Sequence, residues 1–151
     1  MLTHATMTGF TPQTVPHRFE AGTPNIAGVI GMAAALTWLK TQDVQAGEKH
    51  AQNLAAMAEK QLSQIEGFRS FRAQNASLLA FDIAGVHHSD LVTLLAEQVI
   101  ALRAGQHCAQ PLMDALGVKG TLRASFAPYN NEEDVARLVG AVKYAMSLLA
   151  D

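Results

Sequence analysis

Apolar and polar positions along the chain follow two periods, and together they predict five helices and four strands. Apolar residues recur every three or four positions from Ile26 to Leu39, which we interpret as a buried helix, and again over residues 44–65. The last helix is the clearest, because Asn130 or Asn131 can cap it and acidic residues follow. Its apolar stripe consists of Val135, Leu138, Val139, Val142 and Met146.

Four short strands are predicted between the helices, over residues 68–72, 78–83, 101–104 and 121–127. Two further helices are predicted, one capped by Ser89 or Asp90 and one over residues 112–116. The inner face of the first of these two helices consists of Leu91, Leu94, Leu95 and Val99. This order of elements predicts an α+β fold, with helices packed on a small, mostly antiparallel sheet.

The first 25 residues show neither period. They carry three prolines and many threonines, a composition typical of connections and functional loops. They have no apolar core and no basic start, so we predict neither a signal peptide nor a membrane-spanning segment. An independent domain rarely opens in this way, which suggests that the natural fold begins before Met1.

Composition narrows the function classes. Of the 151 residues, 49% are apolar and 16% are charged, which excludes a disordered chain. The net charge is −2, so the chain has no basic excess for nucleic-acid binding. A single cysteine, Cys108, excludes an intrachain disulfide framework and a multi-cysteine metal site. We predict no metal site among the six histidines, and a free thiol indicates a reducing, cytoplasmic compartment.

Cys108 is the first candidate for chemistry. It follows Gly105 and His107 in a loop and precedes a short predicted helix. A positive neighbour such as Arg103 and a helix N-terminus both favour the thiolate. The alternative is that a lone cysteine is a small buried apolar residue, and the sequence leaves both interpretations open.

Two further segments suit anions. Arg123 lies in a predicted strand on the face opposite Leu122 and Ala124, and its planar fork suits bidentate binding of a carboxylate. The alternative is a solvated strand face or a salt bridge within the fold. Residues 22–25 open a helix with free N–H groups and the hydroxyl of Thr23, which suits an anion but also an ordinary helix entry.

Three motifs together resemble a known family. They are Arg-Phe-Glu-Ala-Gly-Thr-Pro-Asn at 18–25, Arg-Ala-Gly-Gln-His-Cys-Ala-Gln-Pro at 103–111 and Thr-Leu-Arg-Ala-Ser-Phe-Ala-Pro-Tyr-Asn at 121–130. The chain resembles the C-terminal part of the pyridoxal-phosphate-dependent cysteine desulfurases of the SufS/CsdA type, within the class V aminotransferase fold. The resemblance covers essentially the whole chain and is strongest to the CsdA type.

The resemblance implies an activity and a set of roles. Enzymes of this family take sulfur from L-cysteine, or selenium from selenocysteine, and release alanine. Cys108 would hold the sulfur as a persulfide before it passes to an acceptor protein, for iron–sulfur cluster assembly or a related use. Arg123 would bind the substrate carboxylate with help from Arg103, and Thr23 would contact the cofactor phosphate of the neighbouring subunit in a homodimer. The family's usual His-His pair before the cysteine is Gln106-His107 here, and these two residues would support the loop.

One departure from the family pattern concerns the cofactor. The family's lysine that binds pyridoxal phosphate belongs to a large N-terminal domain, and none of the five lysines of this chain lies in a matching motif. We therefore expect this chain alone to be inactive. The resemblance implies that residues 1–25 are an extended tail of the missing large cofactor domain, and that residues 26–151 form the C-terminal small domain with the cysteine loop.

Two function classes stay open at this point. The chain is either the C-terminal part of a cysteine desulfurase, or a naturally truncated, non-catalytic module for dimerisation, acceptor binding or persulfide carriage. An unrelated thiol enzyme such as a sulfurtransferase is a third class. The joint presence of Arg103, Cys108 and Arg123 disfavours it, because a simple thiol carrier needs no pair of carboxylate-binding arginines.

Overall fold

A computed structural model describes residues 1–149 of the chain. These residues form two compact units, residues 1–43 and the part of the chain from Val44 onward. The predicted boundary between residues 25 and 26 concerns the complete enzyme and stays a prediction.

The first unit begins with a hairpin that the sequence pattern did not predict. Strands β1 (Leu2–Ala5) and β2 (Phe10–Pro12) pair antiparallel. The backbone N–H of Thr6 donates to the carbonyl of Gly9 at 2.8 Å and closes the turn between them. All the residues of both strands are exposed, so neither face is buried. A strand without a buried face has no period-two signal, which is why these residues appeared to be an aperiodic tail.

Helix α1 (Ile26–Leu39) completes the first unit, after a short 3-10 helix (His17–Phe19). The predicted start is confirmed, because the Asn25 side chain accepts a hydrogen bond from the N–H of Gly28 at 3.0 Å. The prediction that α1 is buried is wrong for this chain. Every residue of α1 is exposed, including Ile30 at 65% and Trp38 at 62%. A helix that is apolar all round is typically buried, whereas α1 is exposed among the described residues.

The second unit contains all the other elements, in the predicted order. The helices are α2 (Val44–Leu62), α3 (His88–Glu97), α4 (Gln110–Leu116) and α5 (Glu132–Leu149), and the strands are β3 (Phe68–Ser70), β4 (Leu78–Ile83), β5 (Arg103–Gly105) and β6 (Thr121–Ser125). The four strands form one antiparallel sheet in the order β3-β4-β6-β5. The predicted α+β fold is confirmed.

The core lies between one face of the sheet and helices α2, α3 and α5. The predicted inner face of β4 is confirmed, because Leu79, Phe81 and Ile83 are at most 1% exposed. Leu122 and Ala124 of β6 extend the same apolar face. Because strand side chains alternate, Ala80 and Arg123 lie on the opposite face. This side of the sheet is directed towards α4.

Helix ends account for the remaining differences. Asn131 caps α5 as predicted, with its side-chain oxygen accepting from the N–H of Asp134 at 3.1 Å. The cap of α3 is His87 rather than Ser89 or Asp90, with its ring nitrogen accepting from the N–H of Ser89 at 3.3 Å. Val99 lies beyond the end of α3 with a φ of 60° and is 81% exposed, so its predicted place on the inner face is wrong.

Candidate active site

Two arginines face each other across neighbouring strands. Arg103 of β5 and Arg123 of β6 are directly paired in the antiparallel register. On its other side Arg123 pairs with Ala80 of β4. Like charges directly opposite each other are unfavourable in a sheet, and a shared anion relieves the repulsion. The register therefore creates a place for a carboxylate or phosphate.

The two arginines differ in burial. Arg103 is exposed at the edge of the sheet, whereas Arg123 is half-buried in a central strand. The Nε atom of Arg123 is buried and has no hydrogen-bond partner among the described residues. The alternative of a salt bridge within the fold receives no support from the described residues, since neither ion pair found there involves Arg123. A free, desolvated N–H donor suits a bound carboxylate.

Cys108 lies in a tight turn just after β5. The N–H of Ala109 donates to the carbonyl of Gln106 at 2.9 Å and closes the turn. Both central residues have positive φ, 55° at His107 and 57° at Cys108, which is the backbone signature of a type I′ turn. Such a conformation costs a residue other than glycine about 1 kcal/mol or more. The turn holds the Cys108 thiol in solvent, since Cys108 is exposed, so its interpretation as a buried apolar residue is wrong.

His107 ties this turn to the sheet. Its Nε2 lies 3.1 Å from the carbonyl oxygen and 3.1 Å from the hydroxyl of Thr121. Burial lowers the pKa of His107 and the positive charges of Arg123 and Arg103 lower it further, while the hydrogen bond to Thr121 opposes them. The imidazole is therefore neutral at physiological pH.

A cavity of about 440 Å³ lies between the sheet and α4. Its lining includes Arg123 and the two neighbours of Cys108, His107 and Ala109. The other lining residues are Phe71, Arg72, Ala80, Leu112, Met113, Leu116 and Thr121. A mostly apolar pocket with a few converging polar groups is typical of a small-molecule site.

Arg72 is a second arginine, beside Arg123, in the lining of this cavity. Its Nε donates to Glu59 at 2.7 Å, and its Nη1 donates to the carbonyl of Ala76 at 3.0 Å. Ser70 also donates to the Glu59 carboxylate. Burial alone would raise the pKa of Glu59, but the hydrogen bonds from Ser70 and Arg72 and the charge of Arg72 outweigh it and lower that pKa. Arg72 is thus held in place by α2 and its own loop.

Arg72 and Thr121 were not predicted as site residues from the sequence. Arg72 is the last residue of the predicted strand 68–72, and Thr121 is the first residue of the predicted strand 121–127. The apolar pattern that predicts a strand does not indicate whether a polar residue at its end has a function. The only local cue for Thr121 was a hydroxyl at the start of a strand, and the structure shows that it is 2% exposed. Their proximity to His107 and Arg123 comes from the pairing of distant segments.

Gln106 and Thr23 are not among the residues that line the cavity. Gln106 is exposed and contributes its carbonyl to the turn. Thr23 belongs to the first unit, where it is exposed two residues before the α1 cap Asn25. The described geometry of Thr23 is that of a helix entry, and its predicted contact with a cofactor phosphate stays a prediction.

Two adjacent histidines, His87 and His88, lie at the start of α3. The rings of His87 and His88 stack at 4.3 Å between centroids. The His88 ring also lies against Gly120, where a Cβ atom would be 2.5 Å from Cε1. Burial, followed by the charge of His87, lowers the pKa of His88. Among residues 1–149 no group of three or more His, Cys, Asp or Glu side chains is arranged to hold a metal ion.

The described residues do not fit a pyridoxal phosphate Schiff base by themselves. All five lysines are exposed, and none lines the cavity beside Cys108. They are Lys40, Lys49, Lys60, Lys119 and Lys143. The described lining of this cavity therefore contains no lysine that could hold the cofactor that the resemblance implies.

Comparison with known proteins decides the family. Residues 1–138 match the Aminotransferase class-V family. The chain belongs to the class-V aminotransferases. Over all 151 residues it is 61% identical to the cysteine desulfurase CsdA of Escherichia coli, of which it covers 38%. It is also 49% identical over 150 residues to a probable cysteine desulfurase of Vibrio cholerae, of which it covers 37%.

Solved structures agree with this assignment. The crystal structure of the E. coli cysteine desulfurase CsdA in an S-sulfonic acid form superposes with a TM-score of 0.84 and 60% identity, over 98% of this chain and 37% of that one. An apo cysteine desulfurase from Thermococcus onnurineus superposes with a TM-score of 0.79 and 31% identity, over 97% of this chain and 37% of that one. This class-V aminotransferase chain thus spans less than two fifths of the length of its relatives. The resemblance to cysteine desulfurases drawn from the three motifs is confirmed.

No helix among residues 1–149 is both long enough and apolar enough to cross a membrane.

Proposed function

We propose that this chain supplies the sulfur-accepting thiol and the carboxylate-binding arginines of a cysteine desulfurase. One observation carries the proposal. Strands β5 and β6 pair Arg103 with Arg123, and β5 ends immediately before the turn that exposes Cys108. The cavity beside the turn is lined by His107 and Arg123. A carboxylate held at the arginines would leave the rest of a small amino acid near the thiol.

The reaction follows from these positions. The Cys108 thiolate attacks the sulfur of L-cysteine, or the selenium of selenocysteine, and a sulfur–sulfur or sulfur–selenium bond forms. The bond between that atom and the substrate β-carbon breaks, and its electron pair stays with the carbon. Protonation of that carbon gives alanine, and Cys108 is left as a persulfide or its selenium counterpart. Arg123 would orient the substrate through its carboxylate, and the exposed edge residue Arg103 would add charge.

The complete enzyme would bind pyridoxal phosphate through a lysine of another segment, since the lysines of this chain lie away from the cavity. Pyridoxal phosphate supplies the electron sink that makes the carbon–sulfur bond cleavable. In the proposed homodimer, Thr23 would contact the cofactor phosphate of the neighbouring subunit. The exposed apolar side chains of α1 support an interface with further protein.

The persulfide would then pass to an acceptor protein, in iron–sulfur cluster assembly or a related route. The exposure of Cys108 supports this step, because an acceptor thiol must reach the terminal sulfur. Cys108 is a free thiol, and thiols stay free of disulfides in the reducing cytoplasm. We therefore propose a cytoplasmic enzyme.

The test compares the complete enzyme with its Cys108→Ser variant. With L-cysteine, the native enzyme should release alanine and gain the mass of one sulfur atom on the peptide containing Cys108, and the variant should do neither. A native enzyme that releases no alanine would contradict the proposal. If that enzyme still took sulfur onto Cys108 from another persulfide donor, the non-catalytic carrier would be the function.

A further inference from the structure

Two buried polar atoms without partners belong to residues that line the same cavity. Among the described residues, His107 Nδ1 and Arg123 Nε make no hydrogen bond, and both side chains line the cavity beside the cysteine turn. Buried polar atoms in folded proteins are nearly always hydrogen-bonded, and exceptions concentrate where a ligand or a catalytic role accounts for them. The two atoms therefore indicate the hydrogen-bonding groups that an incoming ligand must bring.

The hydrogen bond to Thr121 determines what each atom needs. A carbonyl oxygen only accepts, and we therefore assign the ring proton to His107 Nε2, which lies 3.1 Å from the Thr121 carbonyl and 3.1 Å from the Thr121 hydroxyl. A neutral imidazole has one N–H and one lone pair, which leaves Nδ1 as an acceptor. Arg123 Nε is a donor. The cavity thus requires a ligand with an acceptor for the arginine and a donor for the histidine.

The surroundings keep His107 neutral. The charged and titratable groups that face it are Arg123 of β6, Arg103 of β5 and His88 of α3, and Arg72 lines the same cavity. All of these groups except His88 carry a fixed positive charge, and among residues 1–149 no carboxylate contributes to the pKa of His107. Burial and the two strand arginines hold the pKa of His107 below its ordinary value. A lone pair on Nδ1 is therefore available at neutral pH.

The substrate cysteine of the proposed function has both groups that the cavity requires. Its carboxylate is an acceptor for Arg123 Nε, and its thiol S–H is a donor for His107 Nδ1. The nearest thiol in the chain does not already fill this role, because Nδ1 makes no hydrogen bond to Cys108. Since His107 and Cys108 are the two central residues of one turn, a substrate thiol at Nδ1 lies beside the attacking sulfur.

We propose that His107 Nδ1 is the base that takes the proton of the substrate thiol, an inference that rests on the proposed function. The S–H bond breaks, its electron pair stays on the substrate sulfur, and the proton moves to Nδ1. The substrate sulfur becomes the terminal sulfur of the Cys108 persulfide, and the β-carbon takes the electron pair of the broken carbon–sulfur bond. The imidazolium then gives this proton to the β-carbon, which completes the methyl group of alanine, so that one proton has moved in total from the substrate sulfur to carbon.

The decisive variant is His107→Gln in the complete enzyme. The glutamine amide nitrogen reaches the position of Nε2 and keeps the donor to Thr121, but nothing replaces the basic Nδ1. We expect persulfide formation on Cys108 to slow about 100-fold, the lower end of what a general base contributes. His107→Asn tests the tether separately, because it loses the donor to Thr121. His4→Gln, at an exposed position of the first unit, is the matched control and should retain the native rate.

Two measurements distinguish a role of His107 as a base from a role in which it only holds the turn in place. The native rate should rise with pH through a value below the ordinary histidine pKa of about 6.5 and then level off, and this limb should disappear in His107→Gln. The affinity for L-alanine, which has the carboxylate but no thiol, should be unchanged in His107→Gln. Loss of L-alanine binding would place Nδ1 on another substrate group and overturn the proposal.

The remaining outcomes are equally informative. If His107→Gln transfers sulfur within threefold of the native rate while His107→Asn is impaired, His107 is a tether and the proposed base is wrong. If the native enzyme itself forms no persulfide on Cys108, the proposed function fails rather than the role of His107. That result is distinguishable, because it appears before any variant is made.

Discussion

Arg103 and Arg123 are directly opposite each other in the β5–β6 pair, although 20 positions separate them in the sequence. Two guanidinium groups in this register repel each other until an anion lies between them. The protein tolerates this arrangement just before the turn that exposes Cys108. The same pairing thus places the anion-binding groups and the nucleophile at one edge of the sheet.

The first prediction concerns Arg123. In the complete enzyme, Arg123→Ala should raise the KM for L-cysteine about 10- to 100-fold, because a charge-assisted hydrogen bond to a carboxylate contributes about 1.5–3 kcal/mol. Arg137→Ala, an exposed arginine on α5, is the control and should leave the KM unchanged. Steady-state alanine release measures both. An unchanged KM in Arg123→Ala would rule out its carboxylate role.

The second prediction compares two glycines. A Cβ atom at Gly105 or at Gly140 would meet nothing within 4 Å, but only Gly105 has a positive φ, of 118°. Gly105→Ala should destabilise the fold by about 1 kcal/mol or more through backbone strain. Gly140→Ala, in the middle of α5, should stabilise it by about 0.5–1 kcal/mol because alanine favours a helix.

Urea unfolding of the chain measures both changes. Effects of the same sign in the two variants would show that the conformation at Gly105 is not what the structure describes. Gly105→Ala should also slow sulfur transfer in the complete enzyme, since the residue leads directly into the cysteine turn.

The third prediction concerns the core. Leu122→Ala should destabilise the chain by about 2–5 kcal/mol, because Leu122 is 1% exposed and its removal leaves a cavity. Leu112→Ala is the matched control, since Leu112 is 53% exposed, and its effect should be well below 1 kcal/mol. The measurement is the free energy of unfolding from urea titration. Equal losses in the two variants would contradict the described core.

The fourth prediction is a pH dependence at Glu59. Its pKa is lowered in the folded state, so the charged carboxylate is the form that stabilises the fold. The contribution is complete above the pKa of an unfolded glutamate, about 4.3, and is lost as the pH falls through the lower folded value. Glu59→Gln should therefore cost about 1 kcal/mol at pH 7, and the difference from the native chain should shrink below pH 4.

Glu66→Gln serves as the control for this experiment, because Glu66 is exposed. Its effect on the free energy of unfolding at pH 7 should be small. A Glu59→Gln difference that does not shrink on acidification would mean that the carboxylate charge does not stabilise the ion pair with Arg72.

Local patterns in the sequence were enough for much of the fold. Alternation in residues 78–83 placed Leu79 and Phe81 in the core, and Asn131 marked the start of α5 because its side chain satisfies a backbone N–H three residues ahead. The cysteine, the two arginines and the family were also visible in three motifs. The sequence pattern gave a wrong prediction where the burial of a segment did not match the periodicity of its apolar residues. The β1–β2 hairpin has no buried face, and α1 is apolar all round but exposed.

The sequence by itself determined the order of the helices and strands of the second unit, the α+β class and the candidate residues for the chemistry, because these depend on contacts between near neighbours in the chain. Only the tertiary structure decided that Arg103 lies opposite Arg123, that Thr121 holds His107, and that Arg72 reaches the same cavity. Each of these relationships joins segments that are distant along the chain. Strand register and the packing of α4 set them, and no local pattern encodes the distance between two such residues.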